Sequence, residues 1–282
     1  MSLPTEIAVV DEGPIEYRLE GQEQRTVVFF HGGHMHAGVA LGEKPFLDGG
    51  YSVLVPSRPG YGRTPLSTRA APGAFADSVI GLVRHLGLGE LSAVVGISAG
   101  GPYAVAMAAR HEGMVMRLIL QSSVSSLSWP DKKTRVAARV AFNPITEGTT
   151  WAATRLLLKL APDRGLSTLL GSLSTESGRR VLDRVNAEER AELVQLFMSM
   201  RSGRGFVNDL ATTLAPDVAR SVAQPTLVMA SRSDGSVPFE HSEQLTRLIP
   251  NAELFISESQ SHLLWFGGST EALNDAIHSF LP

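Results

Sequence analysis

The chain has 282 residues, of which 43% are hydrophobic and 19% are charged. This composition is typical of a globular protein with a packed core and excludes a disordered chain. The net charge of -3 disfavours a surface that binds nucleic acid or an anionic membrane, so a small-molecule substrate is the expected partner.

The chain contains no cysteine, which excludes disulfides, a thiolate nucleophile and cysteine-ligated metal sites. No apolar run reaches the roughly 18 residues of a membrane-spanning helix. The segment from Met1 to Asp11 lacks the basic and apolar regions of a secretion signal. We therefore expect a cytoplasmic protein that needs no cofactor, and the sequence leaves open whether it is a monomer or a homodimer.

The first elements predicted are two strands, Glu6 to Val10 and Ile15 to Leu19, in an antiparallel hairpin around Gly13-Pro14. From Thr26 onwards, short apolar runs alternate with helix-length segments, which predicts an α/β fold with a mostly parallel sheet flanked by helices. The predicted strands are Thr26 to Phe30, Tyr51 to Val55, Leu91 to Val95, Met116 to Leu120, Pro225 to Ala230 and Ala252 to Ser257. The predicted helices beside them are Gly101 to Arg110, Phe239 to Leu248 and Ser269 to Phe280.

The interval from about Leu127 to Asp217 breaks this alternation, since it contains amphipathic helical stretches and no convincing strand. We predict a core domain of residues 1–126 and 218–282 and a helical cap of residues 127–217. Asn186 and Glu189 predict a capping box at the start of one cap helix. The apolar face of that helix, which includes Phe197 and Met200, either packs in the core or also lines a substrate pocket.

A glycine-rich turn, Gly96-Ile97-Ser98-Ala99-Gly100, lies between a predicted strand and a predicted helix. In the G-x-S-x-G pattern a serine stands on a sharp strand-to-helix turn, and small neighbours let the backbone pass. Ser98 is therefore the candidate nucleophile. The alternative is an idle serine in an ordinary strand-to-helix turn.

A serine nucleophile needs a base, and the base needs a carboxylate that orients it. His262 follows the last predicted strand in a loop at the carboxyl edge of the sheet, where ligands of open α/β sheets bind. Asp234 follows the preceding strand at the same edge. We predict that Ser98, His262 and Asp234 act as nucleophile, base and carboxylate.

These motifs, in this order, resemble those of the α/β-hydrolase family over nearly the whole chain. In this family the turn that carries the serine supplies one N–H donor of the oxyanion hole, which implies Ala99 here. His31-Gly32-Gly33 is similar to the family's H-G-x loop, which implies the N–H of Gly33 as the second donor. The stretch from Arg58 to Thr64 looks like the family's R-G-x-G-x-S motif with a proline inserted, and we interpret it as structural.

His31, His34 and His36 also raise the question of a metal site. Their spacing and the lack of a carboxylate partner pattern disfavour one, so we predict no metal. We take His31, His34, Phe197 and Met200 as candidate substrate contacts.

A serine at the turn implies acyl chemistry, and we expect a hydrolase of an ester, lactone or amide. Cofactor-free haloperoxidase-like chemistry, carbon–carbon bond hydrolysis and a slow-turnover ligand sensor remain open, because fold and triad do not choose among them. The apolar residues of the insertion predict a partly apolar substrate, and they include Phe142, Trp151, Leu156, Phe197, Met200 and Phe206.

Overall fold

One eight-stranded sheet forms the centre of the fold in the computed structural model, which describes residues 2–268 and 270–282. The strands are β1 (Glu6–Val10), β2 (Gly13–Glu20), β3 (Thr26–Phe30), β4 (Ser52–Pro56), β5 (Leu91–Ile97), β6 (Leu118–Gln121), β7 (Thr226–Ser231) and β8 (Ala252–Ser257). Their order across the sheet is β1-β2-β4-β3-β5-β6-β7-β8. β1 pairs antiparallel with β2, and β2 with β4, whereas the other neighbours are parallel.

Helices cover both faces of this sheet. Those outside the long insertion are α1 (Lys44–Asp48), α2 (Pro72–His85), α3 (Gly101–Arg110), α11 (Glu240–Leu248) and α12 (Thr270–Phe280). Those between β6 and β7 are α4 (Lys132–Ala141), α5 (Glu147–Leu160), α6 (Pro162–Ser172), α7 (Gly178–Asp183), α8 (Ala187–Ser199), α9 (Gly205–Asp209) and α10 (Pro216–Arg220). None of the helices in the described ranges is both long and apolar enough to cross a membrane.

The central strands are buried on both faces, as β3 shows. Val27 and Phe29 pack in a cluster that includes residues of α1, α12 and the insertion, whereas Val28 and Phe30 pack against α2 and α3. Successive side chains of a strand point to opposite faces of the sheet. A strand covered on both faces therefore consists of a continuous run of apolar residues in the sequence. The continuous runs in the sequence are therefore the inner strands of a three-layer fold.

The predicted mostly parallel sheet with flanking helices is confirmed, and most element ends lie within two residues of the prediction. Met116, predicted to begin a strand, is 39% exposed and lies before β6. The predicted start of the last helix, Ser269, lies outside the described residues, as does Met1, and α12 is described from Thr270.

The insertion is helical, as predicted, and the capping box at Asn186 and Glu189 is present at the start of α8. Its buried side chains, such as Trp151 and Leu193, join the same apolar cluster as one face of the sheet. The expected end of the insertion at residue 217 falls inside α10. Ala219 of that helix packs in the cluster on the opposite face, so α10 belongs with the layers of the sheet.

Candidate active site

Ser98 stands at the end of β5, where the chain turns sharply into α3. Its φ angle is +52°, in the left-handed region that side chains rarely adopt. Its carbonyl oxygen accepts a hydrogen bond from the Val124 N–H at 3.1 Å, which helps to hold the turn. Backbone strain of this kind concentrates where a side chain must be presented in one direction.

The glycines on either side of Ser98 make this turn possible. A Cβ at Gly96 would lie 2.7 Å from the Ala104 Cβ, and one at Gly100 would lie 2.0 Å from the Phe30 carbonyl oxygen. Both distances are far below van der Waals contact. The small residues of the motif therefore let β5, α3 and the end of β3 approach one another around the serine.

Asp234 and His262 form a buried pair in the loops after β7 and β8. His262 Nδ1 lies 2.7 Å from Asp234 Oδ2, and the two side chains are 9% and 1% exposed. The other carboxylate oxygen of Asp234 accepts from the N–H groups of Ser236 and Val237, each at 2.8 Å. Because the carboxylate only accepts, the hydrogen at this contact belongs to Nδ1, which leaves Nε2 free to take a proton.

The segment after α6 of the insertion holds both of these loops. The His262 N–H and the Gly235 N–H both donate to the Leu173 carbonyl oxygen, at 2.8 and 3.2 Å. The Thr175 N–H donates to the Ser233 carbonyl oxygen at 3.0 Å. The loops that carry the acid and the histidine are therefore fixed by the insertion as well as by the sheet.

A cavity of about 450 Å³ opens between the carboxyl edge of the sheet and the insertion. This volume falls within the range of small-molecule sites. The structure brings six of the predicted site residues to its wall, namely Ser98, His262, Gly33, His34, Phe197 and Met200. Ala99 is buried directly after Ser98, at 5% exposure.

His31, predicted to contact substrate, is not among the residues that line this cavity. Its side chain is 2% exposed, and Nε2 lies 3.1 Å from Glu43 Oε1. Burial alone would raise the pKa of Glu43, but the charges of His31 and Arg18 outweigh it, so that pKa is lowered. A buried carboxylate needs such partners, and His31 is therefore turned away from the cavity.

His34 lines the cavity, with a φ angle of +66°. Nδ1 lies 2.8 Å from Ser202 Oγ, and the imidazole centroid lies 3.9 Å from that of Phe206. Burial, with a smaller effect of the charge of Arg58, lowers the pKa of His34 to about 3. The ring is therefore neutral at physiological pH and can act as a polar contact without carrying charge.

Several residues that line the cavity were not predicted from the sequence to contact the substrate. Phe142, Trp151 and Phe206 line the cavity, whereas Leu156 is 57% exposed. Trp265 also lines the cavity. The one feature of the sequence that could have indicated this is its position three residues after His262. Arg58 was interpreted only as structural, and its ion pair with Asp209 was not predicted because the two residues are 151 positions apart in the chain.

Comparison with known proteins agrees with this fold. A sequence model described as the alpha/beta hydrolase fold matches residues 25–268. An uncharacterized hydrolase, YcgS, of Bacillus subtilis (strain 168) is 29% identical over 284 residues, which cover 100% of this chain and 99% of that protein. A 2-hydroxymuconate semialdehyde hydrolase of Pseudomonas putida is 31% identical over 212 residues, which cover 72% of this chain and 66% of that protein.

Among solved structures, an alpha/beta hydrolase fold protein from Nakamurella multipartita is similar along the whole chain. The two structures superpose with a TM-score of 0.84, and 99% of each chain is covered at 22% sequence identity. At this identity the likeness concerns the fold.

Proposed function

Because the chain belongs to the α/β-hydrolase fold family, we propose that it is a serine hydrolase that cleaves an acyl bond, most simply an ester, of a neutral and mainly apolar small molecule. One observation carries the proposal. Ser98 stands on a strained turn at the wall of the same cavity as His262, whose Nδ1 is paired with buried Asp234. Nucleophile, base and carboxylate are the three groups that acyl transfer by a hydroxyl requires.

In the first half of the reaction, Ser98 Oγ attacks the carbonyl carbon of the substrate, and His262 Nε2 takes the hydroxyl proton. Asp234 stabilises the imidazolium that forms, because its Oδ2 accepts from Nδ1 at 2.7 Å. The tetrahedral intermediate collapses as the carbon–oxygen bond to the leaving alcohol breaks, and His262 returns the proton to that alcohol. Ser98 then carries the acyl group as an ester.

In the second half, a water molecule attacks the acyl carbon while His262 Nε2 takes one of its protons. The bond to Ser98 Oγ breaks, the serine recovers its proton from His262, and the carboxylic acid leaves. The oxyanion of both intermediates needs fixed N–H donors, and Gly33 and Ala99 are our candidates. Gly33 lies on the cavity wall and Ala99 directly follows Ser98.

The lining of the cavity supports a neutral substrate. It is mainly apolar, and none of its described residues is a lysine or an arginine. A carboxylate or phosphate on the substrate would lose its hydration there without gaining a cationic partner. Asp131, which is exposed, is the one acidic residue among the described wall residues.

We also propose that the helices of the insertion act as a cap over this site. Phe142, Trp151 and Phe197 line the same cavity as Ser98. A cap of this kind excludes water from the acyl intermediate and selects substrates by shape.

The test is hydrolysis of p-nitrophenyl acetate, butyrate and octanoate by the wild type and by Ser98→Ala. We expect turnover by the wild type and a fall to the buffer background in the variant. Ser128→Ala is the matched control, because Ser128 lines the cavity without standing on the turn. A fluorophosphonate label should modify Ser98, as peptide mapping would show, and should leave the Ser98→Ala protein unmodified.

A second candidate is carbon–carbon bond hydrolysis, which the identity to the Pseudomonas putida hydrolase favours. The compound in that protein's name carries a carboxylate, for which the described cavity wall offers no lysine or arginine. Incubation with 2-hydroxymuconate semialdehyde, followed by its absorbance, decides between the two. Faster Ser98-dependent loss of this compound than of the esters would support the second candidate. Labelling of Ser98 with turnover of neither substrate class would favour a ligand sensor, and a folded protein with neither labelling nor turnover would contradict the proposal.

A further inference from the structure

The loop that leaves β3 has two of its carbonyl groups bound by one buried arginine. Arg58 Nε donates to the His31 carbonyl oxygen at 2.7 Å, and Arg58 Nη2 donates to the Gly32 carbonyl oxygen at 2.9 Å. The side chain of Arg58 is 1% exposed. A guanidinium is a rigid, planar fork of donors, so it holds both carbonyls in one fixed orientation.

This contact decides where the amide N–H groups of the loop point. In a trans peptide unit the C=O and the N–H lie in one plane and point in opposite directions. Because the carbonyls of His31 and Gly32 point towards Arg58, the N–H groups of Gly32 and Gly33 point away from it. The next N–H, that of His34, donates to Tyr61 Oη at 3.4 Å and is therefore engaged elsewhere.

The same loop also lies next to Ser98, the proposed nucleophile. Gly32 and Gly33 both line the cavity with Ser98. A Cβ on Gly32 would lie 3.0 Å from the Ser98 Cβ and 3.6 Å from Ser98 Oγ, so the space between the loop and the serine leaves no room for a side chain. An oxyanion that forms on a carbonyl attacked by Ser98 is thus within the region to which these N–H groups point.

Arg58 is itself held by the insertion. Asp209, in the last turn of α9, binds the guanidinium through both carboxylate oxygens, with Oδ2 2.9 Å from Nη2. Tyr61 Oη also donates to Asp209 Oδ2 at 2.5 Å. The side chains of Arg58 and Asp209 are 1% and 0% exposed, so removal of either partner leaves a buried charge without compensation.

We propose that Asp209 and Arg58 are positioning residues that fix the direction of the Gly33 N–H and so orient the oxyanion hole from the insertion. The chain of contacts runs from Asp209 to Arg58, from Arg58 to the carbonyls of His31 and Gly32, and from those peptide units to the N–H groups on the cavity side. This inference rests on the proposed function, because it assigns a task in acyl transfer. It gives the stretch from Arg58 to Thr64 a role beyond the structural one expected from the sequence.

The experiment uses Asp209→Asn and Arg58→Lys, which keep the size and polarity of each side chain but weaken the pair. Two quantities separate orientation of the oxyanion hole from general stability. The first is kcat against KM for p-nitrophenyl butyrate. The second is the inhibition constant of an alkyl trifluoromethyl ketone, which forms a tetrahedral oxyanion adduct with a serine, compared with that of the corresponding alcohol, which cannot.

We expect kcat to fall about 100-fold in Asp209→Asn, the size of effect that loss of one oxyanion donor has elsewhere. KM should change by less than about threefold, the ketone should bind more weakly by a factor similar to the loss in kcat, and the alcohol should bind as before. Arg58→Lys should act in the same direction, since an ammonium cannot reproduce the planar fork.

Asn208→Ala is the matched control, because it alters the neighbouring residue of α9. Asn208 Nδ2 donates to Tyr103 Oη at 3.2 Å, and this hydrogen bond is not one of those that join Asp209 to the loop. The Tyr103 ring lies 5.1 Å from the Arg58 guanidinium, and the Asn208→Ala variant keeps that ring. We expect this variant to keep the wild-type kcat and ketone affinity even if its thermal midpoint falls. Tyr61→Phe keeps the ion pair and removes only the hydroxyl shared with Asp209 and His34, and it should lower kcat by a smaller factor.

Variants that fold with a lower thermal midpoint but keep the wild-type kcat and ketone affinity would overturn the inference and leave a purely structural ion pair. If Asp209→Asn and Arg58→Lys do not fold, Tyr61→Phe decides the matter, and an unchanged kcat and ketone affinity there would count against it. The wild type and Ser98→Ala are measured in the same series. Absence of Ser98-dependent turnover in the wild type would contradict the proposed function. That outcome differs from a failure of this inference, in which the wild type is active and the variants keep its kcat.

Discussion

Asp234 divides its two carboxylate oxygens between two tasks. Oδ1 is occupied by the N–H groups of Ser236 and Val237, and Oδ2 is left for His262. The turn that the carboxylate makes with its own loop thus fixes the direction in which its second oxygen points. At the scale of a single residue, a local hydrogen-bond pattern thus orients the imidazole for the role of base that we propose.

His34 is the residue whose protonation should be visible in the stability of the protein. Its pKa is lowered to about 3 from an ordinary value of 6.5, because burial and then the charge of Arg58 disfavour the charged ring. Between those two pH values the unfolded chain binds more protons at this position than the folded chain does. The free energy of unfolding should therefore decrease as the pH falls from 6.5 towards 3.

Denaturant unfolding of the wild type and of His34→Asn at several pH values measures this contribution. Asparagine suits the position because it tolerates the positive φ angle of +66°. We expect the wild type to lose stability more steeply than the variant between about pH 6.5 and pH 4. Parallel curves for the two proteins over this range would show that the ring does not titrate as described.

At the scale of elements, the segment after α6 ties the insertion to the loops of Asp234 and His262. Ser174 pairs with Asp234 in an isolated antiparallel bridge, and Leu173 accepts hydrogen bonds from both loops. Gly235 lies against this segment. A Cβ there would lie 2.5 Å from the carbonyl carbon of Ser174, so no side chain fits without moving the backbone.

Gly235→Ala should therefore weaken this connection. We expect a loss of about 1–3 kcal/mol in the free energy of unfolding, the usual cost of overpacking, together with a lower kcat because the acid loop moves. Gly113→Ala is the matched control, since a Cβ at Gly113 meets nothing within 4 Å. Denaturant midpoints and ester turnover measure both effects. A Gly235→Ala protein as stable and active as Gly113→Ala would contradict the assignment.

At the scale of the whole molecule, the cavity lined by Ser98 adjoins a second cavity of about 450 Å³. Leu41 and Trp265 line both, so they form the wall between them. The second cavity lies between α8, the segment before α1 and the start of α12. On the proposed function, we expect these two side chains to limit the length of substrate that the first cavity accepts.

Trp265→Ala should remove most of this wall and shift activity towards longer acyl chains. Each methylene newly buried contributes about 0.8 kcal/mol, so the ratio of kcat/KM for p-nitrophenyl dodecanoate to that for the acetate should rise roughly tenfold or more. Gln195→Ala is the control, because Gln195 lines only the second cavity of the two. An unchanged ratio in a folded Trp265→Ala protein would show that the wall does not limit substrate length.

The sequence by itself determined the strands, the nucleophile turn and the order of the proposed triad. Each of these has a local cause. Strands buried on both faces read as continuous apolar runs, and Gly96 and Gly100 stand where no Cβ fits. The capping box of Asn186 and Glu189 is likewise complete within four residues.

Only the tertiary structure decided which polar side chains face the cavity. His31 and His34 are three residues apart in the chain. The His31 side chain is buried beside Glu43, whereas His34 lies beside Ser202 at the cavity wall. Arg58 and Asp209 meet across 151 residues because the insertion folds back over the sheet. Contacts of this kind leave no periodic signal in the chain, since they depend on how separate elements pack and on which buried charges find partners.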